Sequence, residues 1–177
     1  MIFNSRKSPR LKEWDYTTPH WYFVTVCTNN HLHFFGEIIN EKVNLNQLGK
    51  EAMYLWNEIP SHYKNVELDE FVIMPNHIHG IIILNDVGSR HASTKDKINN
   101  KEGGTCSAPT LSYIVGSYKS AVTKWANLNR YSNFRWQRSY YDRIIRNEKE
   151  LYFIRNYIKL NTFKWDLEKT ISENLNI

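Results

Sequence analysis

Two cysteines in 177 residues are too few for the disulfide framework of a small secreted domain, and Cys27 and Cys106 do not form the paired spacing of a zinc finger or ribbon. Long apolar runs are also missing. No stretch approaches the roughly 20 residues a membrane-spanning helix needs, and the opening MIFNSRKSPRLKEWD lacks the apolar centre of a secretory signal. A soluble, cytoplasmic protein is the expectation. No segment repeats, which argues against solenoids and propellers. With 41% hydrophobic and 14% aromatic residues, the chain can bury a core and reads as a single domain over 1–177. Arg6, Lys7, Arg10 and Lys12 mark a basic N-terminal arm.

What the sequence has in excess is positive charge, +5 overall. Residues 130–169 hold ten Arg/Lys against five Asp/Glu, an excess equal to that of the whole chain. Such a concentration points to an anionic partner, nucleic acid above all. The competing explanation is a basic surface that only confers solubility.

Hydrophobic periodicity divides the chain into strands and helices. WYFVTVCTN (21–29) reads as a strand, and HFFGEII (33–39) with KVNL (42–45) as a hairpin. Leu48, Ala52, Leu55, Trp56 and Ile59 have the spacing of an amphipathic helix that Pro60 limits. VELDEFVIM (66–74) and HIHGIIIL (77–84) read as two strands joined by a tight turn in the centre of a sheet. Residues 85–108, polar and aperiodic, are expected to form a mobile loop. A helix is then predicted through Leu111, Ile114, Val115, Tyr118, Val122 and Trp125, with Pro109 just inside its start, and a last helix carries Leu151, Ile154 and Ile158 on one face. The order predicts an α+β, ferredoxin-like sandwich: an antiparallel sheet with helices packed on one face.

The stretch VIMPNHIHGIIIL (72–84) places two imidazoles in a core strand. Residues i and i+2 of a strand share a face, so His77 and His79 stand side by side, half of a divalent metal site. By itself a His-x-His pair is weak evidence, and His31 and His33 repeat the spacing. That pair adjoins the turn signal Asn29-Asn30, where solvent or edge hydrogen bonding accounts for it. His77 and His79 lie among apolar residues, where an unpartnered polar group is costly.

MPNHIHGII, WQRSYYDRIIRNEKEL and the closing YIKLNTFKW together resemble the single-tyrosine HUH transposases of the insertion-sequence 200/605 type, in particular their REP-associated tyrosine transposase branch. The resemblance spans about residues 14–165. It implies a ferredoxin-like fold, Mg²⁺ or Mn²⁺ held by His77 and His79, and a helix tyrosine that attacks single-stranded DNA to leave a 5′-phosphotyrosyl link and a free 3′-OH. It also implies a single-stranded or hairpin DNA partner, a nucleoid location when DNA is bound, and a homodimer as one assembly to test. Tyr118, on the helix after the loop, is the first candidate nucleophile, although the same spacing describes an ordinary core tyrosine. Val122 stands where the branch is expected to keep its tyrosine. An amide or carboxylate one turn beyond the nucleophile often completes the metal site; counted from Tyr118 that is again Val122, which cannot ligate, with Asn127 as a substitute in the other register.

Arg135, Arg138, Arg143 and Arg146 alternate with Trp136, Tyr140 and Tyr141, the mixture by which single-strand binders meet phosphates and stack bases. Lys119 and Lys124 are further phosphate candidates. A core strand with solvent-facing arginines explains the same pattern. The reading adopted is a metal-dependent single-strand DNA endonuclease and strand transferase acting on hairpin-containing DNA; the alternatives are a catalytically silent DNA-binding protein on the same scaffold, which Val122 favours, and a metal-dependent hydrolase using water, which leaves the Arg/aromatic segment without a role.

Overall fold

The computed structural model describes residues 18–86 and 109–165. The basic arm, Cys106 and nearly all of the 85–108 segment lie outside them. Strands β1 (His20–Cys27), β4 (Val66–Ile73), β5 (His77–Leu84) and β6 (Tyr141–Ile145) form one antiparallel sheet in the order β4-β5-β1-β6. Helix α1 (Gln47–Asn57) connects β1 to β4, and α3 (Leu111–Leu128) lies between β5 and β6. This β-α-β-β-α-β arrangement, with its last strand on the edge beside the first, is the ferredoxin-like α+β topology expected from the periodicity. Hairpin β2 (Gly36–Ile39) and β3 (Lys42–Leu45) is inserted before α1. Pro60 does not end α1; it sits in the first turn of the short helix α2 (Ile59–His62), where its missing N–H costs nothing. Pro109 precedes the α3 cap, and Thr110 accepts the hydrogen bond from the Tyr113 amide.

Alternation along β5 separates two cores. Ile78, Ile82 and Leu84 pack with Trp56 of α1 and Ile114, Val115, Tyr118 and Val122 of α3. A Cβ on Gly80 would come within 2.4 Å of the Trp56 ring, so this position needs glycine for the helix to seat. Ile81 faces the other way, toward Ile145 and the buried side of α4 (Glu148–Lys159), formed by Leu151, Ile154 and Ile158. Helices α1 and α3 thus make the single helical layer that was expected, and α4 covers the second face in addition. Burying each Leu or Ile of the smaller core is worth about 1.5–3 kcal/mol.

Two carboxylates fix α4 in position. The β4–β5 register shifts between Leu68 and Phe71, and this bulge lets both Asp69 and Glu70 meet α4. Arg155 makes a two-pronged contact with Asp69 at 2.9 and 2.5 Å, and Lys159 pairs with Glu70 at 2.8 Å. The Arg155 guanidinium holds the Asp69 carboxyl below its usual range. Asn147 caps the helix by accepting from the Glu150 amide.

Candidate active site and nucleic-acid interface

His77 and His79 lie on the α4 face of the sheet, their ring centroids 4.5 Å apart. Each is oriented through Nδ1. Asn76 Oδ1 lies 2.6 Å from Nδ1 of His77, and Thr25, the β1 residue paired with His79, places its Oγ1 2.9 Å from Nδ1 of His79. The Asn76 amide also donates to the His31 carbonyl, while the Asn76 carbonyl accepts from the Thr28 amide. The Pro-Asn turn before the histidines is therefore tied to the end of β1. With a proton on each Nδ1, both Nε2 lone pairs remain available.

Burial lowers the pKa of His77 to about 4 and that of His79 to about 3, helped by His31 and His77 respectively. Both rings are neutral at pH 7, the state a metal ligand requires. Two neutral imidazoles with outer partners fixing their tautomers fit Mg²⁺ or Mn²⁺ as part of a ligand set completed by oxygen donors and water. No group of three or more His, Cys, Asp or Glu is positioned to hold a metal among the described residues, so a third ligand from among them would be another residue type.

These shifts carry a pH signature. The unfolded chain takes up protons near pH 6.5, whereas the folded rings resist protonation down to about pH 4 and 3. Stability of the metal-free protein is thus unaffected by this pair above pH 6.5 and falls as pH drops below it. Urea midpoints measured between pH 7.5 and 4.5 should decline, and His79→Gln should flatten the decline; an unchanged slope in that variant would refute the assignment.

Tyr118 is not near this pair. It projects from α3 into the core on the opposite side of the sheet, 3% exposed, with its hydroxyl donating to the Ala52 carbonyl at 2.9 Å and its ring edge-on to Trp56. Burial pushes its pKa well above the ordinary tyrosine value. Val122, one turn later, is fully buried in the same core, and Asn127 is exposed on α3. The helix after the long segment therefore brings neither a nucleophile nor a third ligand to the histidines.

The tyrosine that does reach them is Tyr157, on α4. Its hydroxyl is 3.3 Å from Nε2 of His79, and its ring lies 5.2 Å from the His79 ring and edge-on to Phe23. At 39% exposure it is open to solvent, and Lys164 places its ammonium 5.0 Å from the ring centroid. Helix α4 ends at Lys159, and after the turn at Leu160 a further helical turn over 161–165 carries Asn161, 7% exposed, and Trp165, whose ring is 5.8 Å from that of His77. In sequence Asn161 lies midway between Tyr157 and Trp165, whose rings meet those of His79 and His77. The Y-x-x-x-N spacing in YIKLN is the signal the sequence offers for this pair, beside the apolar spacing of Leu151, Ile154 and Ile158.

His31 and His33 are exposed, as their turn setting predicted. They nevertheless border the site: His31 adds to the field that lowers the His77 pKa, and the His33 ring lies 5.5 Å from Trp165.

The basic candidates divide by location. Residues 134–137 run beside the end of β1 through hydrogen bonds Asn29 N to Arg135 O and Gln137 N to Cys27 O, so exposed Arg135 and Arg138 stand at the histidine end of the sheet. Phe134 is fully buried, and Trp136 and Tyr140 pack against the larger core, which makes these aromatics structural. Tyr141 is 53% exposed and occupies the same cross-strand row as Thr25 and His79. Arg143 pairs in register with Phe23, which stacks on His79, and therefore projects on the α4 face. Arg146 is exposed beyond the end of β6. Lys119 donates to the carbonyls of Gln137 and Arg138 and so anchors that segment; Lys124 is exposed on the groove between α3 and Trp136.

No family model matches the chain. A protein of Haemophilus influenzae (strain ATCC 51907 / DSM 11121 / KW20 / Rd), described as uncharacterized, is 38% identical over 165 residues, covering 93% of this chain and 92% of its own; the two belong to one family. Among solved structures, a REP-associated tyrosine transposase bound to a REP hairpin is similar in fold, with a TM-score of 0.52 and 15% identity over 88% of this chain and 73% of that one. Among the described residues no helix is long and apolar enough to cross a membrane.

Proposed function

We propose that the chain is a metal-dependent single-strand DNA endonuclease and strand transferase acting on hairpin-containing DNA, with Tyr157 as nucleophile and His77, His79 and Asn161 as metal ligands. The observation that carries this reading is the approach of the Tyr157 hydroxyl to His79 Nε2 at 3.3 Å on a solvent-open rim. Mg²⁺ or Mn²⁺, when bound, supplies Lewis-acid stabilisation of charge on the phosphate oxygens. Tyr157 Oη forms a bond to phosphorus as the bond to the 3′ oxygen breaks; the phenol proton leaves to water, and the departing 3′ oxygen gains one. The phosphotyrosine conserves the bond for rejoining. Helix α4, held by Asp69 and Glu70, keeps the hydroxyl at the histidines, and Lys164 adds positive charge beside it. The hairpin held by the structurally similar transposase supports DNA as the partner.

Exposed Arg135 and Arg138 at the histidine end of the sheet, with Arg143 and then Arg146 further along the β6 edge, lead to a binding prediction. Hairpins with single-stranded flanks should bind more tightly than blunt duplex, with log affinity falling linearly in log salt. Fluorescence anisotropy titrations across salt concentrations test it; equal affinity for the two forms would contradict it. Mapping protein–DNA adducts by peptide mass tests the chemistry. An adduct on Tyr157 is expected, while cleavage without adduct would indicate a water-using hydrolase and tight binding without cleavage a silent DNA-binding protein.

A further inference from the structure

One turn before Tyr157 on the same side of α4, Phe153 is 59% exposed, its ring meeting only the edge of the exposed Tyr152 among the aromatic contacts of the described residues. It borders a cavity of about 350 Å³ that is also lined by Arg143, Arg146, Lys149 and Glu150. Glu150 is the one carboxylate lining it. It pairs with Arg143 at 2.5 Å and accepts the Arg146 amide at 2.9 Å. The Arg146 and Lys149 side chains are exposed and in no ion pair among the described residues, so the cavity keeps a net positive charge. An aromatic face beside free cations in a space of this size suits one nucleotide: the base stacks and the phosphate meets the cations.

Position relative to the active site decides which nucleotide. Phe153 and Tyr157 are four residues apart, about 6 Å along the helix. A strand with the roughly 3.4 Å rise of stacked DNA covers that distance in one or two nucleotides. Phe23 on β1 meets the Tyr157 ring edge-on and pairs in register with Arg143 of the edge strand β6, which lines the cavity. The Phe23–Arg143 pair therefore links the cavity to the nucleophile.

We propose that Phe153, Arg146 and Lys149 form a nucleotide subsite that stacks the base one or two positions from the phosphate attacked by Tyr157. This subsite rests on the nuclease reading, and its test is independent of cleavage. In a Tyr157→Phe background, a fluorescent hairpin oligonucleotide with single-stranded flanks is titrated while an abasic residue is moved through both flanks. One abasic position should weaken binding about tenfold, Phe153→Ala should weaken the intact strand equally, and the two losses should not add. Phe153→Trp should restore affinity, and Arg146→Ala or Lys149→Ala should each lower the salt slope by about one. Because the side chain is mostly exposed, Phe153→Ala keeps the fold, which circular dichroism verifies. Additive losses, or no sensitive abasic position, would overturn the subsite while leaving a Tyr157 adduct intact. Failure to bind any strand would remove both readings. A change in mass by light scattering on Phe153→Ala, without a change in DNA affinity, would assign the patch to a second copy of the chain and overturn the proposal.

Discussion

Tyr157→Phe is expected to eliminate the protein–DNA adduct and to reduce strand cleavage by at least about 10³-fold, because the substitution deletes the attacking oxygen and nothing nearby replaces it. The ring, its contacts with Phe23 and His79 and the helix all remain, so the fold and DNA affinity should change little. Tyr118→Phe provides the opposite result. Its hydroxyl donates to the Ala52 carbonyl inside the larger core, so removing it should cost about 0.5–1.5 kcal/mol of stability and leave the adduct in place. Single-turnover cleavage with Mn²⁺, read by gel and peptide mass, and a urea melt of both variants give the comparison. An adduct that persists in Tyr157→Phe and disappears in Tyr118→Phe would reverse the roles. A nucleophile must approach phosphorus to about 3–3.5 Å in line, and the sheet stands between Tyr118 and the histidines.

The difference between these tyrosines shows what can be read from the sequence and what cannot. Periodicity located β1, β4, β5, α1, α3 and α4 because each buries a face whose spacing matches its geometry. The strand period of two also places His77 and His79 together without any tertiary information. The side of the sheet on which a helix lies is a different kind of fact. It depends on chain crossings, and a buried tyrosine in an i, i+3, i+4 series looks the same whether its hydroxyl meets a substrate or, as with Tyr118, a helix carbonyl. Helix α4 presents Leu151, Ile154 and Ile158 to its core, and that strong apolar signal concealed Tyr157 on the adjoining face and Asn161 just past the helix end. The bulge at Asp69 and Glu70, by contrast, leaves a trace in VELDEFVIM: the apolar phase of Val66 and Leu68 breaks at these two adjoining polar residues and resumes at Phe71. The Arg/aromatic segment contained both of its alternatives at once: Phe134, Trp136 and Tyr140 are core, whereas Tyr141 and the arginines are exposed.

Loss of metal is the other large effect expected. His77→Ala and His79→Ala should each weaken Mn²⁺ binding by more than about 100-fold, since losing even an outer partner of a metal-bound histidine costs about 10–100-fold. Thr25→Val tests that outer partner directly: it retains the shape of the side chain but removes the Oγ1 that orients His79 through Nδ1, and a loss near tenfold is expected. Asn161→Ala should fall between these limits if its amide completes the site. His31→Ala and His33→Ala should alter affinity by no more than a few fold, because both rings are exposed at the rim and the His31 carbonyl that accepts from Asn76 is backbone, which alanine keeps. Calorimetric Mn²⁺ titration at pH 7.5, where His77 and His79 are neutral, measures the whole series. Binding that survives His77→Ala combined with His79→Ala, yet disappears when His31 and His33 are replaced, would move the metal to the rim pair and separate it from Tyr157, since only His79 comes within reach of that hydroxyl.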